Sequence, residues 1–296
     1  MSLLWIPFTL LAAAGQTARN AMQRELTVTL GTVGATHVRF LFGFPFAILF
    51  LIGVFVATGL PMPAVPWVFW PWVALGAGAQ ILATALMLAT MNDRSFVVTI
   101  AYIKTEAIQA ALFGLIFLGD QVTAGMVVAI LVATAGVIVM SLKGKGAMEG
   151  GYRPVALGLF SGAMFAISAV GYRGAILSLA LPSFVLAATL TLTIGLVLQA
   201  GFLTLYLALR ERAVLAAIFR AWRPSLFAGF MGATASEFWF LAFALTSVAN
   251  VRTLALVEVL FAQAISLFVF KQTTNSRDAL GIALIVIGVL LLIWVQ

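Results

Sequence analysis

The stretch SFVVTIAYIKTEAIQAALFGLIFL, residues 95–118, is an apolar run that contains only two charged residues, Lys104 and Glu106. A helix of about 20 apolar residues is long enough to cross the hydrocarbon core of a bilayer. The run is longer than a typical strand, and its apolar residues are continuous rather than alternating. It therefore predicts a membrane-spanning helix with two ionisable groups at membrane depth.

The rest of the chain has the same character. Of its 296 residues 64% are hydrophobic and 8% are charged, and the mean hydropathy is +1.17. A soluble domain has about 45–50% apolar and about 25% charged residues, so a soluble protein, a disordered chain and a coiled coil are excluded. Without cysteine there is neither a disulfide scaffold nor a thiolate metal site. We assign the net charge of +7 to basic loops beside anionic headgroups, and expect no nucleic-acid partner.

Ten such apolar runs divide the chain. They are Leu3–Ala21, Gly34–Thr58, Trp67–Thr90, Ser95–Leu118, Val122–Ser141, Val155–Leu177, Ser183–Leu207, Ser225–Leu245, Val251–Phe270 and Ala279–Trp294. Only helices and closed barrels satisfy the backbone inside a bilayer, and continuous runs favour helices. The predicted fold class is an all-α integral membrane protein with ten transmembrane helices. A Gly- and Lys-rich linker, residues 143–153, separates two five-helix repeats, residues 1–147 and 148–296.

Two observations predict that these repeats are related and inverted. Shifting residues 98–140 by 152 positions, without a gap, places Glu106 on Glu258 and Gly136 on Gly288. The basic residues of the loops lie in the odd-numbered ones. They are Arg24, Arg94, Lys143, Lys145, Arg153, Arg210, Arg212, Arg220, Arg223, Lys271 and Arg277. Positive-inside logic then places both termini outside, although Arg173 and Arg252 lie just inside runs six and nine on the opposite side.

Several motifs carry a family resemblance. RFLFGFPF opens the second run at residues 39–46, ALTSVAN at residues 244–250 precedes the ninth, and Gly136-Val137 matches Gly288-Val289. With Glu106 and Glu258 at mid-helix, the chain resembles the EamA-type transporters of the drug/metabolite transporter superfamily. It departs from the family by Asp120 and Gln272 where Glu is common, and by the predicted outside termini.

The resemblance implies secondary transport of small metabolites, often export, with amino acids and their analogues as prominent substrates. It also implies a central cavity between the two halves, surrounded by runs one to four and six to nine. Runs five and ten would pack at the periphery. Transport would follow alternating access, and a bacterial inner membrane is the expected location.

Ionisable side chains at membrane depth are costly, so they indicate a cavity or a partner. Such groups in this chain are Arg19, Lys104, Glu106, Glu237 and Glu258. Tyr102, Glu106 and Gln109 share one face of an ideal helix. Lys104 lies about 200° around that helix from Glu106, which excludes a local pair. We expect Lys104 to meet a carboxylate on another helix or on the substrate.

Glu106 and Glu258 are the first candidates for binding substrate or for coupling to protons, because inverted-repeat transporters bind near the midplane. Glu237 beside Trp239 suggests a place for a cationic or aromatic substrate. Gln80 and Gln16 are candidate polar wall residues. Alternatively, each of these groups forms a structural hydrogen bond between neighbouring helices.

The predicted function is a secondary transporter without a cofactor, metal or catalytic residue. No phosphate-binding Gly-rich loop occurs, so nothing in the sequence suggests ATP hydrolysis. Its partners are a small-molecule substrate and the lipid bilayer, with proton coupling left open. Monomer and homodimer are both left open. The alternatives are a membrane-embedded enzyme acting on a lipid-linked substrate and a non-transporting scaffold, which predicts no cavity between the halves.

Overall fold

The computed structural model describes residues 3–93, 96–141, 152–268 and 276–295. Within these ranges the backbone forms helices joined by short connections, without a strand. The helices are α1 (Trp5–Leu41), α2 (Phe44–Thr58), α3 (Phe69–Asp93), α4 (Phe96–Ile103), α5 (Glu106–Leu118), α6 (Ala124–Ser141), α7 (Tyr152–Ser178), α8 (Phe184–Arg210), α9 (Arg212–Arg220), α10 (Trp222–Leu245), α11 (Val248–Leu254), α12 (Glu258–Phe268) and α13 (Ser276–Val295). A 3₁₀ turn, Ala255–Val257, separates α11 from α12. The predicted all-helical class is confirmed.

Six helical segments of the described ranges are long and apolar enough to cross a membrane. They are Met22–Thr58, Phe69–Met91, Arg153–Ser178, Phe184–Arg210, Trp222–Leu245 and Ser276–Val295. Glu106–Leu118 and Ala124–Met140 are shorter apolar helices. These lengths and compositions are those of a multi-pass α-helical membrane protein, while the division into ten spans stays a prediction. The boundary predicted at residues 147 and 148 lies outside the described residues.

Runs one and two are joined differently from the prediction. The predicted loop at residues 22–33 is wrong, because α1 continues through it as far as Gly31. Gly31 has a φ of 67°, which glycine adopts without steric cost. Gln23 Nε2 donates to the carbonyl oxygen of Ala35 at 3.1 Å, whereas twelve residues of straight helix would extend about 18 Å. The chain therefore folds back at Gly31, and residues 32–41 lead into α2.

Runs four and nine are both interrupted in the middle. In run four α4 ends at Ile103 and α5 begins at Glu106, and the amide of Ala107 bonds the carbonyl of Lys104 three residues earlier. In run nine the 3₁₀ turn Ala255–Val257 precedes α12, which begins at Glu258. Each interruption is thus a short stretch of tighter i→i+3 winding immediately before a glutamate. Such stretches within helices are often hinges.

Small residues allow three pairs of helices to pack closely. A Cβ at Gly136 of α6 would lie 2.7 Å from the carbonyl oxygen of Gly281 in α13. A Cβ at Gly171 of α7 would lie 2.7 Å from the amide of Gly76 in α3. Between α1 and α10, a Cβ at Gly15 would lie 3.1 Å from the Cβ of Ala235. At these glycines the paired helices approach each other so closely that a side chain would not fit.

Candidate functional site

A cluster of buried charges lies where the two interrupted runs meet. Lys104 is 1% exposed, and its Nζ lies 2.5 Å from Oε2 of Glu258. Glu258 is also buried and accepts a hydrogen bond from Gln16 Nε2 at 3.2 Å. The expectation that Lys104 meets a carboxylate on another helix is confirmed. Glu258 is held by one cation and one amide from two other helices.

Glu106 lies at the same centre but is held less closely. Its Oε1 is 3.7 Å from Nζ of Lys104 and 3.7 Å from Nη1 of Arg252, and this oxygen accepts no hydrogen bond. The predicted absence of a local pair between Lys104 and Glu106 is therefore wrong. With three residues per turn instead of 3.6, residues two apart are separated by about 120° rather than about 160°. The lysine side chain is long enough to reach Glu106 across this smaller angle.

The charge pairs are reciprocal between the halves of the chain. Lys104 of the first half pairs with Glu258 of the second, and Arg252 of the second half pairs with Glu106 of the first. Each glutamate is the first residue of its helix, where the helix dipole favours a negative charge. The four groups form one neutral cluster across the middle of the fold.

A chain of contacts connects this cluster to Trp239. The indole Nε1 of Trp239 donates to Gln16 Oε1 at 3.0 Å, and the other end of the same amide donates to Glu258. The guanidinium carbon of Arg252 lies 4.8 Å from the Trp239 ring centroid and 5.3 Å from that of Phe243. The predicted aromatic residue Trp239 thus stacks on a cation of the protein itself.

A narrow cavity lies beside the charge cluster. Its polar lining comes from Gln16, Arg39, Gln80, Ser168, Tyr172, Ser236 and Arg252. Its volume is about 10 Å³, close to the minimum that holds a water molecule. Gln80 Oε1 accepts hydrogen bonds from Gln199 Nε2 at 2.9 Å and from the Tyr172 hydroxyl at 3.3 Å. The predicted wall residues Gln16 and Gln80 therefore both line this cavity.

Two further buried arginines, Arg39 in the cavity wall and Arg19 behind it, have no carboxylate partner in the part of the chain that the structure describes. Arg39 donates to Thr84 Oγ1 and to Ser236 Oγ, each at 3.3 Å. Arg19 is fully buried, and its Nη2 donates to Asn20 Oδ1 at 2.7 Å. Among the described residues, Nε and Nη1 of Arg19 and Nε of Arg39 have no hydrogen-bond partner.

Two other predicted site residues contact helices α7 and α8. Glu237 Oε1 accepts a 2.5 Å hydrogen bond from the hydroxyl of Thr189, which ties α10 to α8. Tyr102 packs against α7, where a Cβ at Gly158 would lie 2.5 Å from the Tyr102 Cβ.

The sequence prediction missed four residues of this site. Arg252 was interpreted as a charge near a loop, but it is 5% exposed and pairs with Glu106. Arg39, Tyr172 and Ser236 were not predicted as cavity residues. Arg39 and Arg252 lie inside apolar runs, and the cost of burying arginine was a usable signal for both. Tyr172 and Ser236 carried no such signal, because their position depends on how the helices pack.

Comparison with known proteins adds evidence about the fold. No protein-family model matches the chain, and no curated protein matches it either. Among solved structures 27 chains match. One, described only as "Crystal structure of protein", has a TM-score of 0.72 and 14% sequence identity, over 99% of this chain and 95% of that chain. At this identity the similarity shows a shared fold over nearly the whole length of both chains.

Proposed function

We propose that the protein is a secondary transporter that moves small organic metabolites across a membrane by alternating access. The observation that carries the proposal is the reciprocal cluster of Lys104, Glu106, Arg252 and Glu258. Buried ion pairs in a membrane are costly, and they mark transport pathways more often than they improve stability. In this chain they join the two interrupted runs.

The helix contacts support ten spans arranged as two inverted repeats. In the numbering of the predicted runs, the contact of Gly15 in α1 with Ala235 in α10 joins runs one and eight, and α3 against α7 joins runs three and six. In two five-span repeats, run six is the equivalent of run one, and run three is the equivalent of run eight. The contact between runs one and eight is therefore equivalent to the contact between runs six and three. The contacts α2–α8, α5–α11 and α6–α13 join runs two and seven, four and nine, and five and ten, so exchanging equivalent runs leaves them unchanged.

The interruptions provide a physical basis for switching. In each interrupted run the tighter winding lies immediately before a glutamate of the cluster. Discontinuous helices at the midplane are a common way for transporters to expose polar groups and to bend. Rotation at either point would separate a glutamate from the cation of the opposite half. The charge pairs would then open and close alternately.

The cavity volume is consistent with a closed state in such a cycle. A volume of about 10 Å³ holds about one water molecule, whereas small-molecule sites are typically about 300–1,000 Å³. Substrate therefore enters only when the surrounding helices move apart. The interrupted runs, which contribute Arg252 and contact Gln16 through Glu258, are the elements that we expect to move.

Flux measurements with the purified full-length chain in proteoliposomes test the proposal. The substrates are labelled amino acids, organic acids and organic amines, each with and without a pH gradient. The double variant Glu106→Gln and Glu258→Gln is expected to reduce transport at least about tenfold, because neutral amides remove both ion pairs. The matched control is Glu211→Gln, an exposed carboxylate between α8 and α9. Full transport by the double variant would contradict the proposal.

Reporter fusions test the inverted arrangement separately. A reporter at residue 147 is expected in the cytoplasm, and one at the C-terminus is expected outside, as the basic loops predict. A cytoplasmic C-terminus would show that the loop charges do not determine the orientation of this chain.

A further inference from the structure

We propose that the central cavity binds the oxyanion group of an organic anion, a carboxylate or a phosphate, between Arg39 and Arg252. This inference rests on the proposed function and identifies the substrate class of the same site. Both guanidinium groups line the cavity, and both side chains are buried. Tyr172 and Ser236 contribute hydroxyl groups to the same wall.

The first argument is the balance of charge. Arg19, Arg39, Lys104 and Arg252 are buried cations at the centre, and Glu106 and Glu258 are the carboxylates that pair with them. Within the described residues these carboxylates form ion pairs with Lys104 and Arg252, and neither Arg19 nor Arg39 lies within ion-pair distance of them. Two positive charges therefore remain in a region where water is scarce. An uncompensated buried cation is costly, and an anionic ligand is the partner that would compensate it.

The second argument is the proximity of the two unpaired arginines. A Cβ at Gly232 would lie 3.3 Å from Cδ of Arg19 and 3.3 Å from Cγ of Arg39, so the two side chains pack against one glycine. Neighbouring like charges in a buried site repel each other unless an anion lies between or beside them. Arg19 thus strengthens the positive potential at the cavity wall without lining the cavity.

The third argument is the set of free hydrogen-bond donors. Nε of Arg39, Nε of Arg252, and both Nε and Nη1 of Arg19 are buried without a hydrogen-bond partner. Guanidinium groups bind carboxylates and phosphates through paired N–H donors, and such charge-assisted bonds are strong. An oxyanion would satisfy the donors of Arg39 and Arg252 in one step. A cationic substrate would be repelled by the same wall.

The rest of the lining indicates what the anion is attached to. Phe165, Ala169, Trp239, Phe240 and Phe243 form the apolar part of the cavity wall. Aromatic walls bind planar or apolar groups by burial and stacking. We therefore expect an oxyanion on an apolar or aromatic body.

The test measures binding by four probes of one shape. Phenylacetate and phenyl phosphate are the anions, phenylacetamide is the neutral analogue, and 2-phenylethylamine is the cation. Calorimetric titration of the wild-type chain in detergent is expected to give at least about tenfold tighter binding for one anion than for phenylacetamide, and weaker binding still for the amine. The tighter anion then identifies carboxylate or phosphate. Equal binding of anion and amide, preference for the amine, or no anion binding would overturn the proposal.

Variants locate the site. Arg39→Gln is expected to weaken anion binding at least about tenfold and to leave phenylacetamide binding unchanged. Arg24→Gln, which removes an exposed arginine of α1, is the matched control. Unchanged anion binding by a folded Arg39→Gln variant would overturn the assignment. If that variant does not fold, the comparison of the four probes on the wild-type chain still tests whether the protein prefers an anion.

The two proposals fail in different ways. Anion binding without flux of any substrate would contradict the transport function and leave the anion site standing. Flux of amines or neutral compounds, with no anion bound, would contradict the anion site and leave the transport function standing.

Discussion

The two interrupted runs are residues 96–118 and 248–268. Each has a glutamate immediately after its interruption, but the two glutamates differ in the residues that contact them. Glu258 accepts from Lys104 at 2.5 Å and from Gln16 at 3.2 Å. Glu106 lies 3.7 Å from both Lys104 and Arg252, and its Oε1 accepts no hydrogen bond. One carboxylate is therefore tightly held, and the other is held at a distance.

The difference follows from where each run places its cation. In the first run Lys104 lies within the interruption, two residues before the glutamate. In the second run the same position is occupied by Leu256, and the cation is Arg252, which lies earlier in α11. Lys104 thus contacts both glutamates, whereas Arg252 pairs only with Glu106 among the described residues. The two runs therefore share a break immediately before a glutamate and differ in where the cation lies.

The largest expected effect is that of removing Lys104. Lys104→Met leaves Glu258 buried without a cation, and breaking a buried pair in this way typically costs about 3–5 kcal/mol. The free energy of unfolding in mixed detergent micelles measures the loss. Lys104→Arg keeps the charge and is the control. A loss below about 1 kcal/mol for Lys104→Met would show that Glu258 has another partner.

Much of the fold was predictable from the sequence, because apolar runs of membrane length specify helices almost regardless of detail. Runs three, six, seven, eight and ten each correspond to one long helix. The interruptions at Lys104 and at Ala255–Val257 were not predictable. Neither contains Pro or Gly, so the sequence carries no local signal for them. The fold-back at Gly31 was missed because a single glycine decides it.

From the sequence, the residues of the site were predictable only where a charged residue lies within an apolar run. Glu106, Glu258 and Lys104 were identified because charge is rare in this chain, and the structure brings them together. Glu237 had the same signal, but its carboxylate is bound to Thr189 between two helices. Sequence gives the depth of a residue within a span, whereas the direction in which it points depends on helix rotation and packing.

The second prediction compares the two glutamates directly. Glu258→Gln is expected to cost about 1.5–3 kcal/mol, the typical value of hydrogen bonds to a charged group. Glu106→Gln is expected to cost about 1 kcal/mol or less, because its contacts are longer. Unfolding of both variants in the same micelles gives the order. A larger cost for Glu106→Gln would reverse the assignment of the tightly held carboxylate.

The third prediction concerns Gln16, which donates a hydrogen bond to Glu258 and accepts one from Trp239. Gln16→Leu removes the bond to Glu258 and leaves the indole N–H of Trp239 without its acceptor. An unsatisfied buried group typically costs about 1–3 kcal/mol. In the Glu258→Gln background the effect of Gln16→Leu is expected to be smaller, since part of the interaction is already altered. Equal effects in both backgrounds would show that the two residues act independently.

The smallest expected effect tests the symmetry itself. Leu256 is fully buried and corresponds to Lys104 at the offset of 152. If the two runs are related by a two-fold axis, a lysine at 256 reaches Glu106 as Lys104 reaches Glu258. Leu256→Lys alone adds another buried cation and is expected to destabilise the chain. In the Lys104→Leu background it restores the missing charge and is expected to recover about 1 kcal/mol. The double-mutant cycle measures this coupling. Leu256→Lys is expected to destabilise the wild-type chain and to stabilise the Lys104→Leu variant only if both positions face the same charge cluster. An identical loss in both backgrounds would mean that the cluster depends on the position of Lys104 and not on its charge alone.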